Sequence, residues 1–257
     1  MEPIQIDERY TLLAAIGQGG EARVFRARDA ATQREVAVRL GSTPGTVASR
    51  IVQAPADYHR GWVRLLDAGI DVTQGSYQVF ELLSGQTLGQ IVPGAGLEKN
   101  ALVDCMRQSL EAVEALHRAG YVHGDLNADN FFLATDGWKI LELPFARFEP
   151  PPGRSPVFGS IHTLAPEQID GGAPTVATDL YALGCLYYFA ASGAWPHPGS
   201  SYAEVAIHTL RFPPEPLPDR PGGLEADCRA GVMKMLATKS ADRPESAAAA
   251  RRLLGVA

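Results

Sequence analysis

The stretch YVHGDLNADN, Tyr121–Asn130, decides how the fold of this 257-residue chain is interpreted. It is short and polar, and it separates two regular patterns. Ala101–Arg118, before it, has apolar residues at helical spacing, and the run FFLATDGWKIL, after it, is typical of strands. Polar side chains in a loop between regular elements are often held in place for binding or catalysis. The stretch is therefore the first candidate for a functional site.

Composition and charge exclude several classes of protein. The chain is 46% hydrophobic and 20% charged, as globular proteins are, and its formal net charge is −6. This acidic balance disfavours binding to nucleic acid or to an anionic membrane, because both favour a basic surface. The three cysteines are too few and too scattered for a disulfide scaffold, which indicates a reducing compartment.

The sequence gives no sign of a secretion signal or a membrane anchor. The start MEPIQIDERY lacks the cationic and apolar regions of a signal peptide. The most apolar run, Leu180–Ala191, is shorter than the ~20 residues that span a bilayer. We therefore expect a cytoplasmic protein without a membrane segment.

The hydrophobic period changes near residue 85. Before it, short or alternating apolar runs predict strands, with one helix candidate at Val47–Gln53; after it the period is helical. This predicts an α+β fold with a small antiparallel β lobe (1–84), a larger helical lobe (85–257) and a cleft between them. The predicted strands are Tyr10–Ile16, Glu21–Arg28, Glu35–Leu40, Trp62–Leu66 and Ser76–Leu83, and the predicted helices are Ala101–Arg118, Thr178–Ser192, Ala203–Leu210, Leu224–Ala237 and Glu245–Leu254.

A glycine-rich segment, IGQGGEARVF, joins the first two predicted strands. Its spacing is Gly17-x-Gly19-x-x-Ala22-x-Val24. Glycines there let backbone amides approach a phosphate closely, although a plain hairpin turn explains them as well.

These features resemble the protein kinase family, and bacterial Ser/Thr kinases in particular. The stretch at 121–130 is similar to the catalytic loop H-R-D-L-x-x-x-N, with His123, Asp125 and Asn130 in register. The tetrapeptide VAVR, which ends at Arg39, lies where the family has V-A-I-K, and the glycine-rich segment resembles the kinase glycine loop. The resemblance covers nearly the whole chain and implies a bilobal protein-kinase-like fold.

Three later motifs carry the same resemblance. LAPEQ contains the Ala-Pro-Glu sequence that closes an activation segment, with Glu167 as its acid. ATDLYALGCLYY is similar to the family's buried central helix and contains Asp179. KSADRP supplies Arg243, which the resemblance pairs with Glu167. Together with His123 these residues hold the fold in the family, so their presence does not indicate activity.

A rival family also has His-Gly-Asp in place of His-Arg-Asp. It comprises kinase-like small-molecule phosphotransferases such as aminoglycoside and choline kinases. Those proteins lack the Ala-Pro-Glu segment and the late arginine, and both features are present here. The comparison favours the protein kinases.

Two substitutions weaken the phosphate and metal machinery that the resemblance implies. Arg39 replaces a lysine, keeping the charge on a bulkier planar head, and Asp57 is the only acid between Arg39 and Asp67. The family's Lys–Glu pair is therefore not expected. The tripeptide Glu-Leu-Pro at 142–144 replaces Asp-Phe-Gly, and its proline should stiffen the loop.

The catalytic loop is altered as well. Gly124 replaces the arginine that receives an activation-loop phosphate, and Asn127 replaces the lysine that helps to neutralise the γ-phosphate. Asp125, the family's catalytic base, is retained. Asn130 and Glu142 stand where the family has metal ligands. In a degenerate loop Asp125 and Asn130 can equally serve to hydrogen-bond the loop itself.

The resemblance and the substitutions together predict a pseudokinase. Such a domain, with reduced or absent phosphotransfer, would act as a scaffold or allosteric regulator of a protein partner, such as another kinase or a signalling protein. The alternative is a weak or atypical ATP-dependent Ser/Thr protein kinase in which Asp125 is the base. The implied cofactor is ATP, with Mg²⁺ or Mn²⁺. The implied nucleotide-binding residues are Gly17, Gly19, Val24, Ala37, Arg39, Glu81 and Leu83.

Overall fold

The computed structural model describes residues 4–18, 22–41, 59–92, 94, 96–141, 146–147 and 160–256. The chain forms two compact units, Met1–Ser84 (unit 1) and Gly85–Ala257 (unit 2). Unit 1 is built on an antiparallel sheet and unit 2 is mainly helical, which confirms the predicted α+β class. Among the described residues, no helix has both the length and the apolar character needed to cross a membrane.

Unit 1 contains a six-stranded antiparallel sheet in the order β1-β2-β3-β4-β6-β5. Adjacent strands of the sheet are consecutive in sequence, except that β4 pairs with β6 and β5 lies at the edge. The strands are β1 (Gln5–Ile6), β2 (Tyr10–Gln18), β3 (Ala22–Asp29), β4 (Glu35–Gly41), β5 (Leu65–Asp71) and β6 (Gly75–Glu81).

The core of unit 1 lies on one face of this sheet. In β4 the side chains of Val36, Val38 and Leu40 are buried, whereas those between them are half-buried. Successive side chains of a strand point to opposite faces, so this alternation separates a core face from a second face. The second face carries the polar side chains that matter for the site.

One predicted strand is displaced in the structure, and one predicted helix has no described counterpart. The strand predicted at Trp62–Leu66 is wrong in position, because β5 begins at Leu65 and pairs with β6 through a turn at Asp71–Gly75. Trp62 and Val63 precede the strand and are buried, and Trp62 forms an isolated β-bridge. The helix candidate Val47–Gln53 lies outside the described residues.

A polar network fixes the first hairpin to the rest of unit 1. Arg9 donates to both oxygens of Asp29, at 2.8 and 3.0 Å, and to Asp67 at 3.0 Å. The Tyr10 hydroxyl also donates to Asp67, at 2.6 Å. Asp71 accepts from the N–H of Asp7 and from the turn that follows it. Asp29 is only 3% exposed, so its charge depends on these partners.

Acid is expected to destabilise unit 1 below about pH 4. Hydrogen bonding from Arg9 lowers the pKa of Asp29, and bonds led by the N–H of Asp7 lower the pKa of Asp71. A carboxyl group with a depressed folded pKa stabilises the fold above its unfolded pKa of about 4, and this contribution is lost as the pH falls through the folded value. Urea unfolding midpoints should therefore drop from pH 5 to pH 2.

Asp71→Asn is the matched variant for this prediction. It should lower the urea midpoint at pH 7, because the amide cannot accept as many bonds from the turn, and it should reduce the loss between pH 5 and pH 2. The idea fails if the variant and the parent chain lose the same stability over that interval.

Unit 2 combines seven helices and five short strands among its described residues. The strands form two small antiparallel sheets, β10-β9-β7 and β11-β8. The helices are α1 (Leu88–Ile91), α2 (Lys99–Arg118), α3 (Pro166–Ile169), α4 (Val176–Ser192), α5 (Tyr202–Arg211), α6 (Ala226–Met235) and α7 (Ala247–Leu254), and the strands are β7 (Gly85–Thr87), β8 (Tyr121–Val122), β9 (Phe131–Ala134), β10 (Gly137–Ile140) and β11 (Ala146–Arg147).

Helix α4 is the centre of unit 2, as its uniformly apolar sequence predicts. Its residues from Thr178 to Ala191 are buried all round the helix. The helix ends at Gly193, whose φ of 77° suits a glycine in the left-handed region. Asp179 is therefore a carboxylate in the first turn of a buried helix, where it needs strong partners.

Candidate functional site

Five side chains share the second face of the sheet in unit 1. Val24 lies opposite Arg39 across β3 and β4, and Arg39 lies opposite Gln78 across β4 and β6. Ala37 lies opposite Phe80 in the same way. Residues directly opposite each other in antiparallel strands project from the same face. The nucleotide residues predicted at positions 24, 37 and 39 therefore form one surface, which we call the Arg39 face.

Arg39 is held across this surface by a neighbouring strand. Its Nη1 donates to Oε1 of Gln78 at 3.2 Å. Gln78 is only 5% exposed, whereas Arg39 is half-buried. One contact of the guanidinium is therefore a neutral amide of the same sheet.

The other predicted nucleotide residues of unit 1 flank the Arg39 face. Gly17 lies opposite Val24 near the end of β2, and Gly19 lies outside the described residues. Glu81 ends β6, and Leu83 follows it as a half-buried residue. The glycine loop is therefore described only as far as its first glycine.

In unit 2 the predicted catalytic loop is anchored to Asp179. The backbone N–H of His123 donates to Oδ2 of Asp179 and that of Gly124 donates to Oδ1, each at 2.8 Å. Nε2 of His117 lies 2.8 Å from Oδ2 of the same carboxylate. Asp179 is 1% exposed, so these bonds replace its hydration. The start of the loop is fixed to the central helix.

Gly124 is the tightest point of the loop. Its φ is +77°, and a Cβ there would lie 3.1 Å from the ring of Pro174. Its carbonyl accepts a bond of 2.9 Å from Nε2 of Gln168. A glycine relieves both the conformational and the steric restriction, so the replacement of the family's arginine has a local structural effect besides the loss of charge.

Asp125 presents one oxygen to the loop and leaves the other open. Oδ1 accepts from Nδ2 of Asn127 at 3.2 Å and from the N–H of Ser160 at 3.1 Å. Within the described residues, Oδ2 has no hydrogen-bond partner. The carboxylate is therefore oriented by one oxygen while the second can accept a proton or a hydrogen bond.

The side chain of Asn127 makes its hydrogen bonds within the loop itself. Its Nδ2 donates to the backbone O of Asp125 as well as to the side chain, and its Oδ1 accepts from the N–H groups of Asp129 and Asn130. It is 8% exposed. A neutral side chain with four internal bonds positions the loop and supplies no charge for a phosphate.

The metal ligands predicted from the sequence are only partly described. Nδ2 of Asn130 donates to the backbone O of Asp125 at 3.4 Å. An asparagine ligates a cation through its amide oxygen. Glu142 lies outside the described residues. In the part of the chain that the structure describes, no three His, Cys, Asp or Glu residues cluster as a metal site.

The structure brings together Arg243, which is buried, and Glu167, which is half-buried. Arg243 donates to both carboxylate oxygens, at 2.7 and 2.9 Å, and its side chain is fully buried. Its remaining N–H groups donate to three backbone carbonyls, and its guanidinium lies 4.7 Å from the centre of the Tyr181 ring. Burial opposes ionisation of Glu167, but the bonds from Arg243 outweigh it and lower its pKa.

Sequence reasoning missed three residues that position the site. Gln78, Gln168 and His117 hold Arg39, Gly124 and Asp179 respectively. Gln78 had a detectable signal, since it is the one polar side chain inside the apolar run YQVF. The other two could not be recognised, because their partners are distant in the chain.

Comparison with protein families gives a match over most of the chain. Residues 10–252 match the family described as protein kinase domain. The matched segment includes every site residue discussed above.

Two curated relatives are bacterial Ser/Thr kinases. The chain is 31% identical over 267 residues to serine/threonine-protein kinase PknB of Mycobacterium tuberculosis, and the match covers 97% of this chain and 43% of PknB. It is 32% identical over 232 residues to a probable serine/threonine-protein kinase of Streptomyces coelicolor, covering 83% and 34%. The chain thus spans less than half the length of these relatives.

Among solved structures, a similar fold occurs in Rad53. The crystal structure of Rad53 residues 1–466 in complex with AMP-PNP aligns with a TM-score of 0.80 and 24% identity, over 96% of this chain and 65% of that one. This likeness supports the bilobal α+β fold expected from the sequence.

Proposed function

Since the chain belongs to the protein kinase domain family, we propose that it is a pseudokinase that binds a nucleotide and acts on a protein partner. Phosphotransfer is strongly reduced or absent in this proposal. The observation that carries it is the state of Asn127, which is neutral and engaged in four bonds within the loop. Phosphoryl transfer depends on positioning and charge neutralisation. A catalytic loop with Asn127 in place of the family's lysine lacks a positive charge and stabilises the transition state poorly.

Nucleotide binding is supported by the Arg39 face. Val24 and Ala37 give it an apolar part that suits an adenine ring, and Arg39 adds a cation that suits phosphate. Adenine would also meet the backbone between Glu81 and Leu83. ATP is the nucleotide proposed. Mg²⁺ or Mn²⁺, when bound, would neutralise phosphate charge, and Asn130 and Glu142 are the residues proposed to hold it.

The regulatory role is the finer part of the proposal. A domain that keeps Glu167, Asp179 and Arg243 preserves a rigid fold, and a rigid fold is what a scaffold or allosteric regulator requires. The partner proposed is another kinase or signalling protein in the cytoplasm. The division into an N-terminal lobe at 1–84 and a C-terminal lobe at 85–257 is part of the same proposal.

A weak Ser/Thr kinase is the second candidate, and Asp125 favours it. The Oδ2 atom of this carboxylate has no partner within the described residues, and Oδ1 is oriented by Asn127 and Ser160. Such a carboxylate can take the proton of a substrate hydroxyl as that oxygen attacks the γ-phosphorus, with ADP as the leaving group.

Radiolabelled ATP separates the two candidates. The purified chain is incubated with casein and either Mg²⁺ or Mn²⁺, beside the Asp125→Asn variant, and melting is recorded with and without ATP. The pseudokinase proposal expects a rise in melting temperature with ATP and label transfer no greater than that of the variant. Transfer that disappears in Asp125→Asn would establish the kinase instead. Absence of any ATP-dependent shift at millimolar ATP would remove nucleotide binding from the proposal.

A further inference from the structure

We propose that a small cavity in unit 2 binds a carboxylate group, with Arg220 as the residue that holds it. This inference goes beyond the proposed function and does not depend on nucleotide binding, because it concerns a place that none of the motifs includes. The class of ligand is a monocarboxylate, either a small carboxylic acid or the last residue of a peptide.

The cavity is lined by the start of α2, the end of α4, the segment that connects α5 to α6, and α6 itself. Its volume is about 40 Å³. A water molecule needs about 10–15 Å³ of such space, so the cavity is large enough for a group of several atoms. Its apolar lining includes Leu102, Leu217 and Leu224, which are all buried. An apolar group that carries the carboxylate therefore also finds contacts here.

The charged side chains that line the cavity are mostly cations. Three are cations, and one, the exposed Glu98, is an acid. The cations Lys99 and Arg229 each pair with an exposed acid outside the lining. Arg220, the third, has no carboxylate partner within the described residues. A bound carboxylate would supply the charge that Arg220 lacks.

Arg220 offers unused donors to such a ligand. Its Nη1 donates to the backbone O of Ala191 at 2.5 Å, which is the one hydrogen bond of this side chain within the described residues. A guanidinium carries five N–H donors, so most of them remain for a ligand or for water. Arg220 is half-buried, and a carboxylate can accept two parallel bonds from its planar head.

The backbone around Arg220 is preorganised. Residues 220–223 form a type II turn, in which the N–H of Gly223 donates to the O of Arg220 at 2.9 Å and the φ of Gly222 is +70°. On another side, a Cβ at Gly96 would lie 2.5 Å from Nη1 of Arg220. The guanidinium is thus held in place before a ligand arrives, which reduces the entropy lost on binding.

A titration followed by nitrogen–proton correlation spectra tests the parent chain. Sodium propionate at millimolar concentration should shift the amide signals of Gly222 and Gly223 along a saturable curve. Propionamide, and sodium chloride at the same ionic strength, should not. Inorganic phosphate should bind more weakly than propionate, because one guanidinium does not balance its second charge. Absence of a saturable shift with propionate, or tighter binding of phosphate, overturns the proposal.

Three variants test the role of Arg220. Arg220→Met should weaken propionate binding about tenfold or more, because charge-assisted hydrogen bonds are lost. Glu98→Gln removes the acid of the lining and should strengthen binding about twofold. Arg211→Met is the control, since Arg211 is an exposed arginine of unit 2 outside the lining, and it should leave the affinity unchanged.

The alternative is that Arg220 only stabilises the end of α4 through its bond to Ala191. That role predicts a less stable chain with the same affinity for propionate, so equal affinities in Arg220→Met and Arg211→Met overturn the proposal. Arg220→Lys, which keeps the charge without the planar fork, replaces Arg220→Met if that chain does not fold, and it should still weaken binding.

A peptide identifies the source of the carboxylate. Acetyl-Gly-Gly-Leu with a free carboxylate is compared with its amidated form and with propionate. Tighter binding of the free acid than of propionate supports a site for the chain end of a protein partner, whereas equal affinities support a site for a small acid. Equal binding of the amidated and free peptides overturns the carboxylate site.

Discussion

Replacing Arg243 with methionine should cost unit 2 about 3 kcal/mol of unfolding free energy, the lower end of the range measured when one partner of a buried ion pair is removed, because Arg243 is fully buried and Glu167 only partly. The fully buried guanidinium bonds both oxygens of Glu167 and the carbonyls of Ala177, Ala237 and Thr238. Methionine fills much of the same volume but satisfies none of these acceptors. Urea unfolding followed by circular dichroism measures the loss.

The control for this prediction is Arg251→Met. Arg251 is also an arginine of unit 2, but it is 26% exposed and pairs with Glu111 and Glu114 at 3.3 and 3.4 Å. Ion pairs that water can reach contribute about 0–1 kcal/mol. If Arg243→Met costs no more than Arg251→Met, the buried arginine does not stabilise the fold as inferred.

A double variant separates the pair from its surroundings. Arg243→Met with Glu167→Leu removes the stranded carboxylate, so it should be less destabilising than the sum of the two single changes. The remaining loss then reports the three backbone carbonyls and the Thr178 hydroxyl, which donates to Glu167 in the parent chain. Simple additivity would contradict a direct coupling between the two side chains.

Asp179→Asn is expected to cost about 2–3 kcal/mol, because it places an amide N–H₂ group against a backbone donor. Both oxygens of Asp179 accept bonds from N–H groups, one from His123 and one from Gly124. An asparagine can satisfy only one of them, whichever way its amide is turned. The other N–H is left facing a donor inside a site that is 1% exposed to solvent.

The loss of stability in Asp179→Asn should be concentrated in the catalytic loop. Amide hydrogen exchange at His123 and Gly124 should accelerate in Asp179→Asn more than exchange in helix α7, which is remote in sequence and capped by its own Ser246. Asp170→Asn serves as the control, since Asp170 is exposed and caps only the short helix α3. If the exchange rates at His123 and Gly124 are the same in Asp179→Asn as in the parent chain, the carboxylate does not anchor these two amides.

The proposed function rests on a missing positive charge in the catalytic loop. Asn127 removes a cation from the catalytic loop of unit 2, and its four bonds make it part of the loop's framework. We propose that a chain with such a loop binds a nucleotide but transfers its terminal phosphate slowly. Binding and transfer can therefore be measured as separate properties.

The sequence by itself determined the fold class and most of the regular elements. The uniformly apolar segment that contains Asp179 had to be a buried helix, and α4 is buried all round. The alternation of Val36 and Val38 gave the two faces of β4, so the second face at Ala37 and Arg39 followed from periodicity alone. Local pattern is sufficient for such features, because side-chain period and burial are coupled along a single element.

Only the tertiary structure decided which side chains meet. Gln78 reaches Arg39 from a strand 39 residues away, and Gln168 reaches Gly124 over 44 residues. Sheet register and helix packing set these distances, and no local pattern in the chain records them. The sequence supplied the residue types at the site. Their partners, and therefore the charges they can offer to a ligand, were fixed by long-range pairing.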